Sequence, residues 1–442
     1  MPPPPPLTIT LRAQCLCRAQ SFTTTLPATS LPLQTSACHC TSCRHLTGAL
    51  RGASDAPWPG PAQPILAAAA AVTGEGGDGG GSEGTLRRYA QTAGMNILFC
   101  GRCGSELFCE KHPAGEGDDA WLEEGEGVEY MVFTGALAVE GWDAALGPVV
   151  RCVDHIFVGD TVDGGAFPWL RGGLDQEGQS PARVWLGGRD VSEEVPVGAR
   201  WPAIEAVEGL KGYETGLKHV GVEGNVPIRC HCRGINLVLR AGEAQREFEE
   251  TQQQGGELPW YVDPVTHKAL GSLDACDSCR IAAGSEVYNW TFAALKHISF
   301  AGDDQGGFPT DTLQLRAATE KKDGEGRDPR LGTIAFYASS PDVQRYFCGR
   351  CSATLFYAVD IRPEIVDVAV GLLDSPDGAR AESVISWSLG GGMSWAQDMI
   401  GTWREGILHA VEKEVEEWRI ERGYPKHWRR VAREEAEKNG GK

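Results

Sequence analysis

Thirteen of the fifteen cysteines in this 442-residue chain sit in CxC or CxxC spacings, and those spacings recur twice in one order. "QCLCRAQSF", with Cys15 and Cys17, is echoed by "IRCHCRGINL", with Cys230 and Cys232. "CHCTSCRHLTG", with Cys38, Cys40 and Cys43, is echoed by "DACDSCRIAAG", with Cys276 and Cys279. "LFCGRCGSELF", with Cys100 and Cys103, is echoed by "YFCGRCSATLF", with Cys348 and Cys351. A repeat on this scale means two copies of one folding unit. The landmarks place them near residues 7–172 and 224–388, with 173–223 as a polar linker and 389–442 as a C-terminal helical segment.

The start, "MPPPPPLTIT", lacks a charged region followed by an apolar one, so it does not read as a secretory signal. The longest apolar run, Ile65–Val72, is 8 residues and mostly alanine, against roughly 20 needed to span a bilayer. The chain is therefore expected to be cytoplasmic, where thiols stay reduced, and its paired cysteines read as metal ligands rather than a disulfide framework. With 41 basic and 60 acidic residues the net charge is −19, which argues against nucleic acid or an anionic membrane as partner.

Tetrahedral zinc takes four ligands, and one CxC or CxxC turn delivers two. Cys15, Cys17, Cys100 and Cys103 make one closed set; Cys230, Cys232, Cys348 and Cys351 make the matching one. Gly101 suits the tight turn of the CxxC, and Gly104 and Ser352 are small residues just after it. Cys38, Cys40 and Cys43 remain, three thiolates without an obvious fourth, which is the ligand count of a catalytic zinc with one open position. The bland alternative is a site closed by His39, or by His155, Cys109 or Cys152. Otherwise Cys109 and Cys152 read as small buried hydrophobes and His155 as a core histidine.

The runs "EYMVFTGAL", "CVDHIFV", "GINLVLR", "YNWTFAAL", "TIAFYAS" and "ATLFYAV" are rich in Val, Phe, Tyr and Thr between Gly-containing turns, and predict strands. The Gly-rich stretches 73–84 and 114–127 predict loops. Trp403, Ile407, Val411, Val415 and Trp418 recur at helical spacing, predicting one amphipathic helix over about 397–422 packed on the second repeat. "KHWRRVAR" beyond it reads as a solvated helix face.

The order CxC, CHCxxCR with a following Gly, and FCGxCG resembles the glutathione-dependent formaldehyde-activating enzyme and centromere protein V family, in both halves of the chain. The resemblance implies a mainly β architecture, two tandem zinc-binding antiparallel β-tent domains, here followed by the C-terminal amphipathic helix. It implies two zinc ions per domain, a structural one on the outer cysteines and a catalytic one on Cys38, Cys40 and Cys43. It further implies a carbon–sulfur lyase activity toward a glutathione–formaldehyde adduct, with glutathione as the small-molecule thiol partner. The second half departs from the pattern: Asp274 stands where the first has Cys38, so its central set is Asp274, Cys276 and Cys279, a harder and weaker ligand set for zinc or an empty one. Arg44 and Arg280 are candidates to rim a pocket for the glutathione carboxylates, or else structural ion-pair partners. A zinc-stabilised binding module without catalysis is the alternative function, and a redox or metal-buffering role a third.

Overall fold

Leu33–Cys38 and Ala269–Asp274, the strands that lead into the two central motifs, occupy the same place in two large sheets. The computed structural model describes residues 7–70, 85–113, 127–171, 181–196, 224–302, 307–321 and 326–438. The first sheet runs Arg183–Val184, Val150–Ile156, Leu33–Cys38, Ala53–Pro57, Glu129–Phe133, Glu106–Lys111, Met95–Cys100, Leu86–Thr92. The second runs Ile385–Trp387, Ala269–Asp274, Tyr288–Ala294, Ile365–Ala369, Thr354–Val359, Val343–Cys348, Ile334–Ser340. From Val150–Ile156 and Ile385–Trp387 onward, the two orders agree strand for strand.

Each half adds a three-stranded sheet: Ser21–Pro27, Thr8–Gln14 and Leu137–Glu140 in the first, Val226–Arg229, Asn236–Leu239 and Ile298–Phe300 in the second. The architecture is thus mostly β, in four sheets, with seven α-helices among the described residues. All six runs predicted as strands contain one. The helices Ala241–Gln253 and Thr312–Glu320 were not anticipated from the sequence.

The two large sheets are mixed rather than purely antiparallel, whereas the two three-stranded sheets are antiparallel throughout. Val150–Ile156 pairs parallel to Leu33–Cys38, and Ile385–Trp387 parallel to Ala269–Asp274. A parallel pair needs a long crossover, and the strands in between supply it in each half. The expected linker also differs. Residues 172–180 and 197–223 lie outside the described residues, but within 181–196 Arg183–Val184 extends the first sheet, and Trp185 is buried with its Nε1 donating to Asp154 Oδ1 at 3.0 Å. Most of 73–84 and 114–127, expected as loops, also lies outside the described residues.

The halves pack through a seam with approximate twofold correspondence. Each central motif continues into a seven-residue helix, Thr41–Thr47 or Asp277–Ala283, ended by a left-handed glycine, Gly48 or Gly284. Gly48 O accepts from Gly371 N of the other half at 2.8 Å; Gly284 O accepts from Gly135 N at 3.0 Å. Backbone meets backbone so closely that a Cβ on Gly135 would lie 2.3 Å from Gly284 C. Arg44 and Arg280 do not rim a pocket. Both are buried and cross the seam, Arg44 Nη1 to Gly371 O at 3.1 Å and Arg280 Nη1 to Gly135 O.

Glu106 lies in this seam, 1% exposed, accepting from Ser352 Oγ at 2.8 Å through one carboxylate oxygen while the other has no partner. Burial holds its carboxyl well above the usual carboxylate range. The folded state therefore binds this proton more tightly than the unfolded chain, so its contribution to stability is present at acid pH and lost as pH rises through the folded value. Glu106→Gln, neutral throughout, is expected to melt higher than the parent at neutral and alkaline pH, by about 1–3 kcal/mol of unfolding free energy. The gap should close toward pH 4 in thermal scans.

The C-terminal segment begins later than its sequence suggests. A 3-10 turn at Ala396–Asp398 is followed by Gly401 at φ +73°, and the helix proper is Glu405–Glu421. It buries Ile407, Leu408, Val411, Val415 and Trp418, while Trp403 is buried ahead of it. It lies across both halves rather than on the second alone: Arg171 N of the first half donates to Glu414, and Arg380 of the second places its guanidinium 5.2 Å from the Trp418 ring centroid. The last helix, Trp428–Lys438, buries no residue fully, as a solvated face should.

Candidate metal centres

The two outer cysteine sets converge as the spacing predicted. Cys15, Cys17, Cys100 and Cys103 bring their sulfurs within 4.8 Å of one another, as do Cys230, Cys232, Cys348 and Cys351. Cys15 and Cys17 Sγ are 3.5 Å apart and Cys17 and Cys100 3.6 Å; Cys230 and Cys232 are 3.6 Å apart and Cys232 and Cys348 3.5 Å. A tetrahedron with metal–sulfur bonds near 2.3 Å has edges of about 3.8 Å, whereas a disulfide would need about 2.05 Å. These sets fit a tetrahedral metal and not a disulfide.

The local chain is built for this. Arg18 and Arg233 take positive φ (63° and 58°) so that each CxC closes a turn, with Arg18 N donating to Cys15 O and Arg233 N to Cys230 O. Backbone amides then point at sulfur: Gln20 N to Cys15 and Ile235 N to Cys230, both at 3.2 Å, and Cys351 N to Cys348 at 3.3 Å. Gly104 and Ser352, the small residues after each CxxC, both adopt positive φ (76° and 69°). A side chain at Gly104 would strike the Phe347 ring at 2.6 Å.

Cys38, Cys40 and Cys43 also gather within 4.8 Å. Cys38 ends its strand, Cys40 caps the helix Thr41–Thr47, its sulfur accepting from Cys43 N at 3.3 Å, and Cys38 and Cys40 Sγ are 3.4 Å apart. Cys38 and Cys43 are buried; Cys40 is partly exposed. Among the described residues no fourth His, Cys, Asp or Glu joins them.

His39 turns away, its Nε2 3.0 Å from His155 Nδ1, and His155 Nε2 lies 3.8 Å from Cys152 Sγ. Burial keeps both rings neutral, pushing His155 down to about 3 and His39 well below its usual value. Burial pushes the Cys109 thiol up to about 12. None of the four closes the cluster.

Three residues that sequence reading missed stand beside it. His231, between the metal-set cysteines Cys230 and Cys232, reaches across the seam: its Nε2 is 2.8 Å from Ser42 Oγ and its Nδ1 2.6 Å from Tyr89 Oη. Gln91 Nε2 donates to Cys43 Sγ at 3.7 Å. The available signal was the contrast between His231 and Leu16, which holds the same place in the first half.

The fourth cluster, Asp274, Cys276 and Cys279, also lies within 4.8 Å. Asp274 Oδ1 accepts from Cys276 N at 2.6 Å, and burial raises its carboxyl to about 8. It has a charged donor to sulfur, which the other clusters lack among the described residues. Arg345, 4% exposed, points Nη1 and Nη2 at Cys279 Sγ from 3.7 and 3.8 Å and donates from Nη2 to Ser278 Oγ at 2.8 Å. A fixed guanidinium against the ligand atoms fits a metal dication poorly.

No helix among the described residues is long and apolar enough to cross a membrane. Several cysteine-rich groups of this chain can thus hold a metal ion. Compared with protein-family models, with curated proteins and with solved structures, the chain matches none.

Proposed function

We propose that the chain is a zinc-dependent carbon–sulfur lyase acting on a glutathione–formaldehyde adduct or a related thiol conjugate, centred on Cys38, Cys40 and Cys43. The observation that carries this reading is the ligand count. Three sulfurs converge with no fourth protein ligand among the described residues, and Cys40 keeps the cluster open to solvent. A zinc ion held there would supply Lewis-acid polarisation and stabilise a thiolate at neutral pH.

Cleaving a hydroxymethyl thioether breaks the carbon–sulfur bond, removes the hydroxyl proton as the carbonyl forms, and leaves a thiolate that is later protonated. Ser42 Oγ, bonded to His231, which is bonded in turn to Tyr89, offers a place to hold that proton beside the cluster. The outer cysteine sets, by this reading, are structural zinc sites, and the two halves are tandem domains of β-tent type.

A binding module without catalysis is the second reading. It is favoured by the engagement of Arg44 and Arg280 in the seam, which leaves neither free to receive a carboxylate. Cys40→Ala and Cys276→Ala separate the two readings. Cys40→Ala is expected to lose one metal equivalent and to drop turnover of the adduct at least a hundredfold, with Cys276→Ala close to the parent. No turnover of the adduct by the parent chain with its metals in place would support the binding module instead.

A further inference from the structure

The central clusters of the two halves differ at two neighbouring positions, not one. Asp274 replaces Cys38, and on the strand Val343–Cys348 of the same sheet Arg345 replaces Ile97, since "ILFCGRC" and "RYFCGRC" align without a gap. Ile97 is buried and apolar. Arg345 is equally buried but charged, and its guanidinium is directed at Cys279 Sγ and Ser278 Oγ, with Nε donating to Ser339 Oγ at 3.2 Å and the Tyr357 ring 5.0 Å away.

A guanidinium stays protonated in proteins. Like charges brought together out of water repel far more strongly than in solution, so a metal dication and Arg345 compete for the same ligand set. In the other three clusters, the described donors to sulfur are neutral: backbone amides, hydroxyls and the Gln91 amide.

Without a metal, Cys276 and Cys279 are two thiols at CxxC spacing with unequal access. Cys276 is partly exposed, with Ser278 Oγ 3.1 Å from its sulfur; Cys279 is buried against the guanidinium.

We propose that Asp274, Cys276 and Cys279 form a metal-free dithiol site, balanced in charge by Arg345, that exchanges with low-molecular-weight disulfides. The Cys276 thiolate attacks one sulfur of the small disulfide; that S–S bond breaks, a thiolate leaves, and a mixed disulfide remains. The Cys279 thiolate then attacks the Cys276 sulfur, forming Cys276–Cys279 and releasing the second thiolate. Two electrons pass from the protein to the small disulfide, and the two protons given up by the cysteines end on the released thiols. Excess small thiol drives the reverse reaction.

The test uses the full chain with its metals. Elemental analysis is expected to give three metal ions per chain, and Asp274→Cys with Arg345→Ile, which copies the first half, four. After incubation with glutathione disulfide, acid quenching and alkylation, peptide mass mapping should find a Cys276–Cys279 disulfide while the metal count stays at three. Arg345→Lys, which keeps the charge, should still form that disulfide. A fourth metal ion in the parent chain that is lost on Cys276→Ser would overturn the proposal. So would alkylation of both Cys276 and Cys279 after the disulfide treatment, and the parent chain alone suffices for either result should the double variant not fold.

Discussion

Cys100→Ser should release one metal equivalent and unfold the first half of the chain. Cys100 is fully buried at the end of the strand Met95–Cys100, with Cys15, Cys17 and Cys103 around it. Four thiols held this close have no other partner strong enough to compensate their burial, and closed metal sites contribute folding free energy directly, about 10–16 kcal/mol in small zinc-binding peptides. That exceeds the whole stability of a typical domain, about 5–15 kcal/mol. Cys15 and Cys17 tie the small sheet of Thr8–Gln14 to the large one that carries Cys100, so losing the site parts the two sheets. Elemental analysis and circular dichroism check the expectation. A variant with the parent's metal count and melting curve would refute the assignment of this set.

Much of this was legible because metal ligation leaves a local signature. A CxC or CxxC needs a tight turn and a short list of small residues, and both halves repeat it, so spacing and order alone pair the cysteines of the two outer sets. The open cluster was legible for the same reason, by subtraction. What stayed hidden depends on residues far apart in sequence. Arg345 sits 66 positions from Cys279 and His231 189 positions from Ser42, and neither carries a local motif that points to its partner. Arg44 and Arg280 read equally as pocket cations or structural ion-pair partners, because nothing in "CRHL" or "CRIA" says that the other half covers them.

The sheet order shows the same limit. Composition makes the strands legible: the runs "YNWTFAAL" and "ATLFYAV", rich in aromatic and β-branched residues, hold Tyr288–Ala294 and Thr354–Val359. The parallel return of Val150–Ile156 beside Leu33–Cys38 follows from topology and could not be read from either run. The C-terminal helix failed at its start because Trp403 fits the helical spacing although Gly401 and the turn before it do not.

Arg404→Met is expected to destabilise the folded chain by about 3–5 kcal/mol, the usual cost of removing one partner of a buried ion pair. Arg404 precedes the helix Glu405–Glu421 and is 5% exposed. Its Nε donates to Glu286 Oε2 at 2.6 Å, and Glu286 is 2% exposed. Its Nη2 donates to two first-half carbonyls, Thr134 O at 3.1 Å and Leu137 O at 2.8 Å, while the guanidinium stacks 3.9 Å from the Trp403 ring centroid. Burial pulls the guanidinium down to about 10, which leaves it charged at neutral pH. One side chain thus bonds the second half, the first half and the C-terminal segment together. Methionine fills the volume but strands the Glu286 carboxylate without its donor and takes one donor from each carbonyl, Thr134 O keeping the Leu137 amide; a buried carboxylate cannot regain water inside the seam. Glu286→Gln keeps an acceptor oxygen for Arg404 and should cost less. Urea unfolding of the two single variants and the double variant measures the coupling between the pair. Additive losses, or a loss below about 1 kcal/mol for Arg404→Met, would show that the seam is held elsewhere.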